Sequence, residues 1–80
     1  NKLTKSITLR VNLFDIDEEF TNNFKNILEE HKGNHQLKLN VFDPDEAVSL
    51  EMLSRTHKVK ISKQLIQDIG TLVNIQYKLN

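Results

Sequence analysis

Over residues 23–41, NFKNILEEHKGNHQLKLNV, the hydrophobic period of this chain changes from about 3.6 to about 2. Phe24, Ile27, Leu28 and His31 fall on one face of a helix, whereas Leu37, Leu39 and Val41 alternate with Lys38 and Asn40 as in a half-buried strand. Gly33 stands between the two patterns. Lacking a Cβ, it is expected to take the left-handed conformation that closes a helix, with Lys32 beside the negative end of the helix dipole. A helix that hands over to a strand in this way is half of a βαβ unit. That unit restricts the fold to a sheet with a helix crossing one face.

The flanking residues supply the other elements. Residues 6–13 alternate, with Ile7, Leu9, Val11 and Leu13 on one face and Thr8, Arg10 and Asn12 on the other, and so predict a first strand. Asp15 and Glu18 have capping-box spacing before an acidic first turn, so a helix is expected from Ile16 or Asp17 to about His31, burying Phe20, Phe24, Ile27 and Leu28. A second strand covers about 36–42. It ends in a turn at residues 43–46, where Pro44 fixes φ and Asp43 bonds the backbone ahead. A third strand is expected at about 47–53, with Val48, Leu50 and Met52 inward. A turn at Ser54, Arg55 and Thr56 then leads to a fourth strand at 57–61. Ser62 caps a short second helix marked by Leu65, Ile66 and Ile69, which Gly70 can terminate, and Val73, Ile75, Tyr77 and Leu79 alternate in a closing strand.

The expected order is β-α-β-β-β-α-β, an α+β two-layer sandwich with a mixed sheet, the last-but-one three strands forming an antiparallel meander, and both helices on one face. Every strand carries a polar row, so the other sheet face is expected to meet solvent or a partner. That row holds five basic residues (Arg10, Lys38, Lys58, Lys60 and Lys78) and one acidic residue, Glu51. All the other acids but Asp68 gather in segments 15–19, 29–30 and 43–46. The chain has zero net formal charge, and the expectation is a basic sheet face set against acidic helices and loops.

Eighty residues suffice for a single domain, 1–80, and the start at Asn1 reads as an excised piece of a longer chain. The absence of cysteine removes disulfides and thiolate metal sites from consideration. No apolar run approaches the roughly 20 residues of a membrane span, and a cytoplasmic monomer is the expectation.

Few side chains suggest chemistry. His31 and His35 have the i, i+4 spacing of helical metal ligands, but Gly33 interrupts the helix and no third ligand follows at motif spacing, so both are expected to be exposed structural histidines. His57 has no nucleophile context. The segments LRVNLFDIDEE and LKLNVFDPDEA resemble one another, and if their strands run in the same direction both acidic loops sit at one end of the sheet. A cation site is the sharper reading of those loops, and helix capping with an Asx turn is the simpler one. Phe14 and Phe42 are expected on the polar sheet face, where they invite comparison with single-strand nucleic-acid platforms, with Arg10, Lys38 and Lys60 as the contacts. The densest basic run is Arg55, His57, Lys58, Lys60 and Lys63. No cofactor or metal is expected, nor any catalytic set.

Taken in order, the first alternating strand, the helix ending His31-Lys32-Gly33, the strand from Leu37, the run Val48-Ser49-Leu50, the basic Ser54-Arg55-Thr56-His57-Lys58-Val59 and the segment 61–69 (ISKQLIQDI) resemble the C-terminal domain of the bacterial DNA polymerase III alpha subunit. The resemblance implies a DNA-directed DNA polymerase as parent chain, with its catalytic domains elsewhere. It also implies a non-catalytic docking module for the tau subunit of the clamp loader. Arg55, Lys58, Lys60, Lys63 and Gln67 are the expected docking residues. Two other readings stand beside it: a ferredoxin-like module that binds a small ligand or dimerises through its sheet, and weak single-stranded DNA binding by the basic face.

Overall fold

A computed structural model describes residues 3–80. The chain runs β1 (Ser6–Asn12), a 3-10 turn (Leu13–Asp15), α1 (Glu18–Glu30), β2 (Lys32–Asp43), β3 (Val48–Val59), α2 (Lys63–Ile69) and β4 (Gln76–Leu79). The strands form one mixed sheet in the order β3-β2-β1-β4. β1 and β2 are parallel, joined through α1, and the other two pairings are antiparallel. This is the expected α+β architecture, with four strands where five were expected. The two segments read as third and fourth strands are the single strand β3, so the meander is one long hairpin. The turn signal at Ser54, Arg55 and Thr56 is real but produces a bulge. Lys38 pairs with Leu53 and Gln36 with Lys58, so Leu37 alone faces four residues of β3, and the His57 N–H donates to Ser54 Oγ at 3.2 Å.

The first helix also starts later than the Asp15–Glu18 spacing indicated. Asn12 caps the 3-10 turn, accepting from the Phe14 N–H at 2.8 Å, and Asp17 then caps α1, accepting from Phe20 at the same distance. At the other end His31, not a glycine, is the C-cap. Gly33 lies inside β2, and neither glycine has a positive φ. What Gly33 supplies is space: a Cβ there would sit 2.6–2.8 Å from the backbone N and Cα and the Cβ of Lys60. The expected Ser62 cap is present, accepting from the Leu65 N–H at 3.1 Å, and Gly70 closes α2 in right-handed conformation. Asp43 Oδ1 accepts from the Asp45 and Glu46 N–H groups, as the turn chemistry required.

Both helices pack on one face of the sheet. Ile7, Leu9, Leu37 and Val59 from the strands meet Leu28 of α1 and Leu65 and Ile69 of α2 in the main core, and a second cluster joins Val11 and Phe20 to Leu72. Phe20 stacks on Phe24 with ring centroids 5.7 Å apart. The helices do not reach the far end of the hairpin. Val48, Leu50 and Met52, expected inward, are 58%, 61% and 41% exposed. The edge strand β4 is four residues long and starts later than expected, leaving Val73, Tyr77 and Leu79 exposed.

Candidate interaction surface

The sheet register places two chemically opposite ends on the molecule. Ser6, Gln36 and Lys58 are aligned at one end, and Asn12, Phe42 and Ser49 at the other. At the first end Arg55 and Lys58 line a cleft of about 400 Å³ together with Glu29, Lys32, Gly33, Thr56 and His57. Glu29 is the acid of that cleft. The Lys32 ammonium, 2.9 Å away, donates to it and with its charge holds its carboxyl below the ordinary value, and His57 Nε2 lies at 3.8 Å. Lys60 follows the end of β3, its N–H bonded to the His31 carbonyl at 2.7 Å, and Lys63 and Gln67 lie four apart on the exposed face of α2. Thus Arg55 and Lys58 share one concavity, whereas Lys63 and Gln67 belong to the helical layer. Lys58 alternates with the buried Val59 and so emerges on the opposite sheet face from α2. Among the described residues, none of Arg55, Lys58, Lys60 and Lys63 pairs with a carboxylate.

His31 and His35 are structural ties and only partly exposed, in place of the exposed positions expected. His31 Nε2 meets Asp68 Oδ2 at 2.7 Å across the α1–α2 contact, and the other Asp68 oxygen accepts from Gln64 at 2.9 Å. The hydrogen bond from His31, then that from Gln64, lowers the Asp68 pKa. Glu30 brings a third potential ligand atom within 4.8 Å of this pair. His35 is not in that group. Its Nδ1 accepts the Ile61 N–H at 3.2 Å, pinning the start of α2 to β2. Asp68 had no signal of its own in the sequence, because the distance of 37 residues that separates it from His31 is closed only by the fold.

On the polar sheet face Glu51, Asn40, Arg10 and Gln76 form one row, and Leu53, Lys38, Thr8 and Lys78 the next. Arg10 and Lys38 are therefore diagonal neighbours, and Lys60 lies beyond the strand end. The Arg10 guanidinium covers the Phe42 ring at 4.6 Å from its centroid. Phe42 is on this face as expected. Phe14 is not: it belongs to the 3-10 turn and lines a different cleft with Phe20, Leu72 and Val73, so the two rings make no common platform.

At the second end the two acidic loops do lie together, because β1 and β2 are parallel and in register up to Asn12 and Phe42. Three of the four aspartates in these loops have a local task. Asp17 caps α1, Asp43 accepts from the backbone of its own turn, and Asp15 Oδ2 accepts from Asn74 at 3.4 Å. Next to these loops Leu13, Ile16, Val41, Val48, Leu50 and Met52 line a cleft of about 600 Å³.

Among the described residues no helix is long and apolar enough to cross a membrane. A search of curated proteins by sequence finds no match. The family model described as DNA polymerase III alpha subunit, C-terminal domain, matches residues 7–80, from the start of the β1 core face to the end of the chain. With that match spanning all four strands and both helices, the chain belongs to the family of C-terminal domains of the DNA polymerase III alpha subunit.

Proposed function

We propose that this domain is a non-catalytic docking module of a bacterial replicative polymerase and that it binds the tau subunit of the clamp loader. The observation that carries the reading is the unpaired cationic end. Arg55, Lys58, Lys60 and Lys63 are exposed and have no carboxylate partner among the described residues. Such charges cost little to bring against an acidic partner, because no internal ion pair has to be broken first. The groups that resemble catalytic or metal-binding side chains are instead tied into the fold: His31 to Asp68, His35 to the Ile61 N–H, and Asp17 and Asp43 to backbone donors. Direct DNA binding by the sheet is the weaker reading. Arg10 is stacked on Phe42, and Glu51 stands two positions along the same row.

The test is a titration of the isotopically labelled chain with purified tau C-terminal domain, and in parallel with single-stranded DNA. Tau is expected to move backbone amide signals from Arg55 to Gln67, and the double variant Arg55→Glu, Lys58→Glu to weaken binding at least tenfold, or about 1.4 kcal/mol. If tau moves nothing while DNA shifts Arg10, Lys38 and Lys60, the docking reading fails and the nucleic-acid reading replaces it.

A further inference from the structure

The apolar cleft at the acidic end contradicts its own sequence pattern. Val48, Leu50 and Met52 occupy the alternate positions of β3 that face the helical layer, opposite Asp43, Val41 and Leu39, yet no element covers them. Leu13 and Ile16 form the other wall and are 41% and 40% exposed. Aliphatic side chains converge here on a concave strip beside α1, at the place where a third helix of the layer would lie. From Val48 to Met52 the strip runs about 13 Å at the usual strand rise, the length of roughly nine helical residues. An added strand on the β3 edge would leave this face open, whereas a helix laid across it fills it.

The rim states what such a helix must carry. Asp43 lines the cleft, Asp45 and Glu46 follow in the hairpin turn, and Asp15, Asp17, Glu18 and Glu19 flank Ile16. No lysine or arginine occurs in residues 11–24 or 40–54. We infer that the cleft walled by Leu13, Ile16, Val41, Val48, Leu50 and Met52 is a second docking surface, which receives an amphipathic helix of a partner protein with aliphatic anchors on one face and Lys or Arg on its flanks. The apolar anchors supply affinity and the cations match the acidic rim. This surface is distinct from the Arg55–Lys58 cleft and does not depend on the identity of the partner there.

Two synthetic peptides of about 18 residues test it, sharing a leucine face and differing only in whether Lys or Glu occupies the flanks. With the labelled chain, the Lys peptide is expected to shift the methyl signals of Leu13, Ile16, Val41, Val48, Leu50 and Met52, and the Glu peptide to bind at least tenfold more weakly. The decisive variant is Leu50→Asp with Met52→Asp. Both sites are exposed, and retained Ile7, Leu9 and Leu37 methyl signals report an intact core. The added carboxylates would strengthen a purely electrostatic attraction to the Lys peptide, whereas apolar docking predicts at least a tenfold loss. Unchanged or tighter binding by the variant overturns the inference, as does equal binding of the Glu peptide or a shift pattern elsewhere. Concentration-dependent shifts of the same methyls without peptide would make a second copy of the chain the occupant and also overturn it. Neither peptide derives from the clamp loader, so failure here leaves the tau reading standing, and loss of tau binding leaves this one.

Discussion

Gly33 and Gly70 both follow helical patterns and look alike in the sequence, yet they differ in what a side chain would meet. At Gly33 a Cβ would fall within 2.8 Å of Lys60 atoms, two of them backbone, where β2 and β3 close together at a register shift. Gly33→Ala must push two paired strands apart. Overpacking of this kind costs about 1–3 kcal/mol, and for a domain of this size about 2 kcal/mol corresponds to a melting point lower by roughly 10 °C. At Gly70 the nearest atom is the Gln67 carbonyl oxygen at 3.3 Å and φ is −63°, so Gly70→Ala is expected to lie within about 0.5 kcal/mol of the parent. Thermal unfolding of the two variants checks the contrast. Equal effects would mean that both glycines act only as helix terminators, as the local sequence suggested. The signal for Gly33 was not readable there, because its partner Lys60 is distant in the chain.

The elements show where local rules suffice and where they do not. The cap at Ser62, the Asx turn at Asp43, the inward row of β1 as far as Val11 and the buried face of α1 follow from side-chain period and short-range hydrogen bonding and were legible. Leu13, expected to end that row, instead lies in the 3-10 turn and is exposed. The division of β3 was misread because a bulge and a reversal use the same residues, and only the pairing partner β2 tells them apart. The inward face of Val48, Leu50 and Met52 was legible as a direction, but whether a helix reaches it depends on the lengths and placement of α1 and α2. The tie between those helices was invisible for the same reason. It has a pH signature. Hydrogen bonds from His31 and Gln64 lower the Asp68 pKa in the folded state relative to the unfolded chain. The stability it contributes is therefore present in full above the ordinary carboxylate value, about 4, and is lost as the pH falls through the lower folded value. Asp68→Asn should be less stable than the parent at pH 7, and the two denaturation curves should converge in acid. A gap that stays constant from pH 7 to pH 2 would show that the His31–Asp68 contact contributes through packing alone. Asp68 is partly exposed, so the effect is expected to shrink in high salt.

At the scale of the whole molecule the dominant feature is a charge axis along the strands. The sequence suggested polarity across the sheet, from a basic face to acidic helices. The register adds a lengthwise component, with Arg55, Lys58, Lys60 and Lys63 toward one end and the acids of segments 15–19 and 43–46 at the other. From Gln36, opposite Lys58, to Asp43, opposite Val48, the hairpin rises by about 23 Å. The longest dimension of the molecule is 37 Å. The Debye length at physiological salt is about 8 Å, so a charge bound at one end is almost fully screened at the other. Nor do the two clefts share a lining residue: one is built from the C-terminal part of α1 and the bulged half of β3, the other from the 3-10 turn and the hairpin tip. Occupancy of the aliphatic cleft should therefore leave the cationic cleft free and electrostatically unaltered. The expected outcome is that a saturating concentration of the Lys-flanked amphipathic peptide changes the affinity for the tau C-terminal domain less than twofold. A tenfold weakening, measured by titrating tau into peptide-loaded and peptide-free chain, would mean that the two ligands meet on one surface. The domain would then offer a single docking site in place of one at each end.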